Sequence, residues 1–275
     1  MEKNVLYIVA NPCSGSGRGH LVWESVEASL RKHSIVYQMV DDALPPAGSR
    51  VMLIGGDGTY CCFVNRVTHP EVYRYIMVEA GSSNSLWSTF GAAHCSRTLE
   101  DEDYVWMDLG EVETEKERFW FWNEASLGFA AAIGARTIDS TLKRTMNRWH
   151  LSEWSYILTA FSVWMTEEPT MINLMNNNRI SGDLRPCPDA KPDDRLVDVS
   201  VLCCPRWRLP LELVKMVGLR KENQSRYVEI YQGKTWQTEL PMALPIEADG
   251  EPMQAACSVR FGLYAQPIQV KFFEL

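Results

Sequence analysis

The sequence predicts an α/β fold on a parallel sheet for roughly its first hundred residues and a mostly-β, antiparallel fold for the rest. Three observations carry this reading. In the first part, short unbroken apolar runs are each followed by a loop of small residues and a helical pattern, which describes a βαβ series. After residue 104 the apolar runs succeed one another across turns, and several alternate in polarity as one-sided antiparallel strands do. With 275 residues, 46% of them hydrophobic and 23% charged, the chain has the composition of a folded protein of one large domain or two small ones.

Taken in order, Val5–Ala10 (VLYIVA) is the kind of run that a buried parallel strand requires. It enters Asn11-Pro12-Cys13-Ser14-Gly15-Ser16-Gly17-Arg18-Gly19, after which Leu21, Val22, Ser25, Val26 and Leu30 recur at helical spacing. Ile35–Met39 reads as a second strand, and Pro45-Pro46-Ala47-Gly48 breaks the chain. Val51–Ile54 is a third strand that feeds directly into Gly55-Gly56-Asp57-Gly58-Thr59. A helix through Phe63 and Val67, a strand at Tyr75–Val78 and a tight loop at Gly81–Asn84 follow. Only about 15 residues separate Met39 from Gly55, so a crossover helix there is expected to be shortened or missing.

The later strands are expected at Tyr104–Leu109, Phe119–Asn123, Met171–Met175, Leu196–Cys203, Tyr227–Tyr231, Pro245–Ala248, Ala256–Phe261 and Ile268–Phe273. One long Trp-rich helix, Leu142–Met165, interrupts them and ends at Glu167-Glu168-Pro169; it reads as core more readily than as a lipid tunnel. Leu99–Arg118 holds nine acidic residues against Lys116 and Arg118 and reads as a solvated hairpin.

A formal charge of −8 disfavours nucleic acid as a partner, since such binders carry basic domains. No apolar run approaches the roughly 20 residues that span a bilayer, and Val5–Ala10 is too short for a secretory signal. The eight cysteines include two adjacent pairs, Cys61–Cys62 and Cys203–Cys204, and form no CxxC. Reduced thiols in a cytoplasmic protein are the expectation.

The chemistry is expected in the loops. In open α/β sheets ligands bind outside the carboxyl ends of the strands. Glycine there lets backbone N–H groups approach phosphate oxygens closely. The Asn11–Gly19 loop alone is a weak signal, neither a Walker A motif nor GxGxxG. Gly-Gly-Asp-Gly-Thr directly after a hydrophobic strand is far more specific.

Asn11-Pro12-x-Ser14-Gly15-x-Gly17 followed by GGDGT at 55–59 resembles the diacylglycerol kinase catalytic family, whose superfamily includes bacterial lipid kinases, sphingosine kinases and, more distantly, NAD kinases. The likeness continues in the family's order. Gly81-Ser82-Ser83-Asn84 stands at its Gly-Thr-Gly-Asn-Asp loop, Met107-Asp108-Leu109-Gly110 at its Asp-Leu-Gly strand, and Asn123–Phe129 (NEASLGF) at its Asn-x-Ala-Ser-x-Gly-Phe segment. Pro192–Val199 resembles its Asp-Gly-Leu-Leu-Asp-Val segment, and Asp249-Gly250-Glu251 its late Asp-Gly-Glu.

The resemblance implies a nucleotide-binding α/β domain over 1–112 and a lipid-binding antiparallel β-sandwich domain over 113–275, with the last few residues free to pack back on the first. It implies ATP in the cleft between them, its phosphates held by Asn11, Ser14, Gly15, Gly17, Gly55, Gly56, Gly58, Thr59, Gly81 and Asn84. Asp57 is implied as general base or metal-ordering group, with Glu251 as its catalytic companion. Mg²⁺ is implied at Asp57 and Asp108, with Glu251 completing the acidic cluster and an accessory site at Asp194. These residue types suit phosphoryl transfer, which needs alignment and cations on the phosphate oxygens more than covalent chemistry. As a loop residue Asp57 is expected to carry little packing.

The chain also departs from the pattern. Ser83 replaces a glycine, Ser85 an aspartate and Arg195 a glycine, while Ala130 and Ala131 stand where sphingoid-specific members carry an acid. The implied activity is ATP-dependent phosphorylation of a hydroxyl on diacylglycerol or a related lipid. A degenerate nucleotide or lipid binder and an NAD kinase-like enzyme are the alternatives. A lipid acceptor requires contact with a membrane surface, and 206–226 is the candidate segment. Arg206, Arg208, Lys215, Arg220, Lys221 and Arg226 there oppose only Glu212 and Glu222, with Leu211, Leu213, Val214, Val217 and Leu219 between them.

Overall fold

A computed structural model describes residues 5–82, 84–99, 103–138, 163–165, 170–180, 184–218 and 225–275. The chain divides into two compact units. The first comprises Met1–Leu109, Pro192–Asp194 and Tyr264–Leu275, the second Gly110–Lys191 and Arg195–Leu263.

The first unit opens with β1 (Leu6–Ala10), α1 (Arg18–Lys32), β2 (Tyr37–Met39), β3 (Arg50–Gly55), α2 (Asp57–Val64) and β4 (Arg74–Glu79). Strands β2, β1, β3 and β4 lie side by side, all parallel. Leu6, Ile8, Met52, Ile54, Ile76 and Val78 turn one face of this sheet onto Val26 and Leu30 of α1. No helix joins β2 to β3, as the short spacing anticipates. Helix α2 starts earlier than expected, so that Asp57, Gly58 and Thr59 form its first turn. The sheet is completed by β5 (Cys95–Ser96), β6 (Val105–Met107) and the C-terminal β15 (Ile268–Phe273). Strand β15 runs parallel to β4 and β5 and antiparallel to β6. Texture groups Tyr104–Leu109 and Ile268–Phe273 with the mostly-β half, but their strands pair here. Phe272 packs edge-on against Trp87 and Phe90.

The second unit holds one eight-stranded antiparallel sheet. Its strands are β7 (Gly110–Thr114), β8 (Arg118–Phe121), β9 (Glu124–Gly128), β10 (Thr170–Met175), β11 (Val197–Cys203), β12 (Val228–Gly233), β13 (Thr235–Ala248) and β14 (Glu251–Leu263). Their order is β12-β11-β10-β9-β13-β14-β7-β8. Helix α3 (Phe129–Ile138) follows β9, and α4 (Leu209–Gly218) follows β11. The acidic stretch ends in the β7–β8 hairpin, where Glu113 pairs with Arg118 and Arg260. The Trp-rich helix expected at Leu142–Met165 lies outside the described residues except for Val163, Trp164 and Met165. All eight cysteines are free thiols, and among the described residues no helix is long and apolar enough to cross a membrane.

Candidate active site

The first loop is shaped by Asn11, at the end of β1. Its side-chain oxygen accepts the Cys13 N–H at 3.1 Å, an Asx turn. Its Nδ2 donates to Thr59 Oγ1 at 3.2 Å, tying this loop to the GGDGT segment. Gly15, Ser16 and Gly17 then have φ of +57°, +59° and +100°, three left-handed residues in a row. Gly15 also has no room for a side chain, because a Cβ there would lie 2.4 Å from the Ala80 carbonyl oxygen. Helix α1 starts immediately afterwards, with no side chain capping it, no acid in its first turn and Arg18 at its head. The positive end of a helix dipole with no side-chain cap suits an anion such as phosphate, beside Arg18, whose guanidinium also lies 3.4 Å from Glu79.

The second and third loops meet backbone to backbone. A Cβ on Gly81 would stand 2.5 Å from the Gly56 Cα, and Ala80 N–H donates to Gly55 O at 2.7 Å. Asp57 bridges the same two loops. Its carboxylate accepts the Ser85 N–H at 2.8 Å and the Leu86 N–H at 3.4 Å, so it caps the turn that opens the next helical segment. The expectation that Asp57 carries little structural weight is therefore corrected. Asn84, at φ +48°, donates to Glu79 Oε1 and Gly81 O, both at 2.7 Å. Its buried Oδ1, which faces Gly56 and Gly81, has no hydrogen-bond partner among the described residues. Behind them the buried Tyr60 hydroxyl bridges Gly55 O and Val78 O, and burial, then the Asp57 charge, pushes its phenol well up. Asn11, Ser14, Gly15, Gly17, Gly55, Gly56, Asp57, Gly58, Thr59, Gly81 and Asn84 thus belong to three successive strand-end loops of one sheet, linked by these contacts. Ser83 lies outside the described residues.

The remaining acids have other surroundings. Asp108 is buried where the chain leaves β6, and its N–H donates to Pro192 O at 2.6 Å, which brings the 192–194 turn beside it. Arg195, where the resemblance expects a glycine, has φ +63°, a left-handed conformation that favours glycine. Among the described residues, no three His, Cys, Asp or Glu side chains are grouped to hold a metal ion. Asp57, Asp108 and Asp194 are therefore no ready-made cage.

In the second unit, Glu251 opens β14 just after the Asp249-Gly250 turn. Asp249, which sequence reasoning left out of the site, accepts three backbone N–H groups: Trp122 at 2.6 Å, Asn123 at 2.9 Å and Glu124 at 3.2 Å. The Asp-Gly hairpin signal was visible in the sequence, but its partners 125 to 127 residues away were not. Glu247, two residues before Asp249, is buried. Burial pushes its carboxyl up, against the Ser126 and Gly250 hydrogen bonds that favour the charged form. A carboxyl that holds its proton more tightly when folded loses stability for the protein as pH rises from about 4.3 through its folded value. Glu247→Gln keeps an acceptor for Gly250 N–H and removes this titration. The variant is expected to melt a few degrees higher than the wild type at pH 8 and equally at pH 4; parallel melting curves across that range would refute the assignment.

No family model matches the chain. Solved structures superpose along almost its whole length. A protein described as "a putative diacylglycerol kinase from Bacillus anthracis str. Sterne" matches with a TM-score of 0.66 at 15% identity, covering 98% of this chain and 97% of that one. By fold the chain is diacylglycerol kinase-like. Sequence comparison is in agreement. A Bacillus subtilis protein named "Putative lipid kinase YtlR" is 19% identical over 305 residues, 96% of this chain and 98% of the relative. A Pseudomonas fluorescens protein named "Probable lipid kinase YegS-like" is 24% identical over 255 residues, 85% of this chain and 78% of the relative.

Proposed function

We propose that the protein is an ATP-dependent lipid kinase that phosphorylates a hydroxyl of diacylglycerol or a related lipid. The observation that supports it most is the joining of the three strand-end loops through Gly15 on Ala80, Gly56 on Gly81, Asn11 on Thr59 and Asp57 on Ser85 and Leu86. The start of α1, which no side chain caps, and the Ser14–Gly17 turn suit the nucleotide's phosphates, with Arg18 beside them, and Asn84 Oδ1, without a partner among the described residues, suits a bound donor. Asp57 is held by two amides with its carboxylate oriented, so it can take a proton from an acceptor hydroxyl without first being ordered. Mg²⁺, the usual companion of ATP, neutralises phosphate charge. It often keeps several waters and takes only one or two protein carboxylates, and Asp57 and Asp108 are the candidates here.

The reading is tested by incubating the protein with labelled ATP, Mg²⁺ and a total lipid extract. A labelled, chloroform-soluble product absent with Asp57→Asn is expected. ATP binding without any such product would favour the degenerate binder, for which Ser85 in the place of the family's aspartate is the sequence argument. Phosphorylation of NAD instead would identify the NAD kinase-like alternative.

The surface partner proposed is an anionic bilayer, met through the Arg206–Leu211 turn and the neighbouring Arg226. Trp207 is 70% exposed and Leu211 47%. The Arg208 guanidinium lies 4.8 Å from the Trp207 ring centroid and Arg226 4.9 Å from that of Tyr227. Trp164 Nε1 donates to Arg206 O at 2.8 Å, which brings exposed Met165 alongside. An exposed Trp with an arginine stacked on it suits an interface where apolar and anionic groups meet. Lys215, by contrast, pairs with buried Glu212 at 2.9 Å, and Leu219, Arg220, Lys221 and Glu222 lie outside the described residues. Trp207→Ala is expected to weaken partition to phosphatidylglycerol-containing vesicles about tenfold. Equal partition of the wild type to neutral and anionic vesicles would remove the proposed role.

A further inference from the structure

The second unit's sheet ends on an exposed strand. Sheet order places β12 at one edge, and among the described residues it pairs with β11 alone. Its four central residues, Glu229, Ile230, Tyr231 and Gln232, are all exposed. Successive side chains of a strand point to opposite faces, so neither face of β12 is covered at its centre. Ile230 is 41% exposed on one face and Tyr231 46% on the other.

The register shows which way the backbone groups point. Cys203 N–H donates to Tyr227 O at 3.1 Å, so these two residues form a hydrogen-bonded pair. Along an antiparallel ladder such pairs alternate with non-hydrogen-bonded ones. Glu229, Tyr231 and Gly233, opposite Val201, Val199 and Val197, therefore direct their main-chain groups at β11. Val228, Ile230 and Gln232 turn theirs outward. Val228 N–H turns back to Ser225 O at 3.2 Å, while the Ile230 and Gln232 N–H groups and all three carbonyls line the edge.

Proteins normally blunt such an edge with lysine, proline, a bulge or a very short strand. Strand β12 reads Val-Glu-Ile-Tyr-Gln-Gly and pairs with β11 through all six positions without a register shift. Its only charge, Glu229, accepts from the Tyr231 hydroxyl. The complement of outward N–H and C=O groups at two-residue spacing is another strand, and the side chains fit a second copy of this one. In an antiparallel pair centred on Ile230, the two Ile230 side chains oppose each other, Val228 opposes the partner's Gln232, and Glu229 opposes the partner's Tyr231. Acid then faces phenol, and no like charges meet within the strand. Arg226 and Lys234, which this register also opposes, lie beyond its ends in the flanking turns. Centring the pair on Glu229 instead would set carboxylate against carboxylate, which disfavours that register.

We propose that β12 is a self-association edge, at which two copies of the chain pair β12 against β12 across a twofold axis at Ile230 and join their eight-stranded sheets into one. A contact in which the same patch serves both copies closes at the dimer. The inference stands apart from the lipid-kinase reading, since it rests on the strand's exposure, its outward backbone groups and its self-complementary sequence.

The test is sedimentation velocity on the full chain, with a melting curve for each variant. Reducing conditions are used because all eight cysteines are free thiols. The wild type is expected to dimerise with a dissociation constant on the order of 10 μM, in the weak range of small interfaces, and is followed from about 1 to about 200 μM. Ile230→Pro and Ile230→Lys are each expected to weaken the dimer by about tenfold or more. Because the Ile230 N–H faces away from β11, proline there removes no bond of the ladder and is expected to leave the melting temperature within a few degrees of the wild type. A wild type that stays monomeric throughout this range overturns the proposal and leaves the edge to solvent or to another protein's strand. So does a dimer that both variants leave intact, which would lie elsewhere on the surface. Growth past the dimer overturns it as well, since only a head-to-tail contact continues. If Ile230→Pro does not fold, Ile230→Lys decides by the same criterion.

Discussion

Asp57→Asn is expected to reduce phosphate transfer to lipid by about a thousandfold, the scale of a lost general base, while leaving the protein folded. Asparagine retains one oxygen that can accept from Ser85 N–H, now 2.8 Å from the carboxylate. The stability cost is therefore under ~1 kcal/mol. Asp57→Ala removes both caps, leaves the Ser85 and Leu86 amides unpaired by Asp57 and is expected to cost about 1–2 kcal/mol. The pair of variants separates chemistry from capping. If activity follows stability, falling little in Asn and much in Ala, Asp57 is a structural cap and the assigned base is wrong. If both variants lose transfer while only Ala melts lower, the carboxylate does both jobs. Activity is measured with saturating ATP and lipid, stability by thermal melting followed in the far ultraviolet.

The double employment of Asp57 illustrates what the sequence could and could not reveal. Strands β3 and β4 were legible because both their faces are buried, which makes them unbroken apolar runs. Strand β1 is an unbroken apolar run as well, though only Leu6 and Ile8 on one face are fully buried, and the glycine loops sit at the carboxyl ends of all three. That Gly81 must lie against Gly56 was not legible, since it depends on the contact of two turns some 25 residues apart. The C-terminal strand was legible as a strand; its texture matched the mostly-β half, and only the resemblance left it free to pack back on the first unit, where it pairs with β4 and β5. Lys271 interrupts its apolar run as an outward polar residue would, yet the side chain is buried, with its ammonium 2.6 Å from Asp103. The burial of Asn173 in β10 and Ser200 in β11 was hidden for a related reason. A polar residue between apolar neighbours suggests a strand with one wet face, and here that face is covered by α3 and its cluster.

The same limit applied to Asp249, and the second large effect is expected there. Asp249→Ala removes the acceptor for three backbone N–H groups and places alanine at φ +49°. Hydrogen bonds to a charged group contribute about 1.5–3 kcal/mol each at most, and their contributions overlap on one carboxylate. A total loss of about 3–5 kcal/mol is expected, enough to lower the second unit's melting by roughly 10 °C. Asp249→Gly relieves the backbone strain but not the lost acceptor, so it is expected to recover only about 1 kcal/mol of that loss. Asp249→Asn tolerates the left-handed conformation and keeps one acceptor, and is expected to fall between wild type and glycine. A glycine variant as stable as the wild type would show that backbone conformation, not the carboxylate, holds the Trp122–Glu124 segment. Because Asp249 fixes the start of β9 and the turn into Glu251, its loss is also expected to disturb Glu247 and Ser126 beside them. The pH dependence assigned to Glu247 then weakens in Asp249→Ala, a coupling that two independent sites would not show.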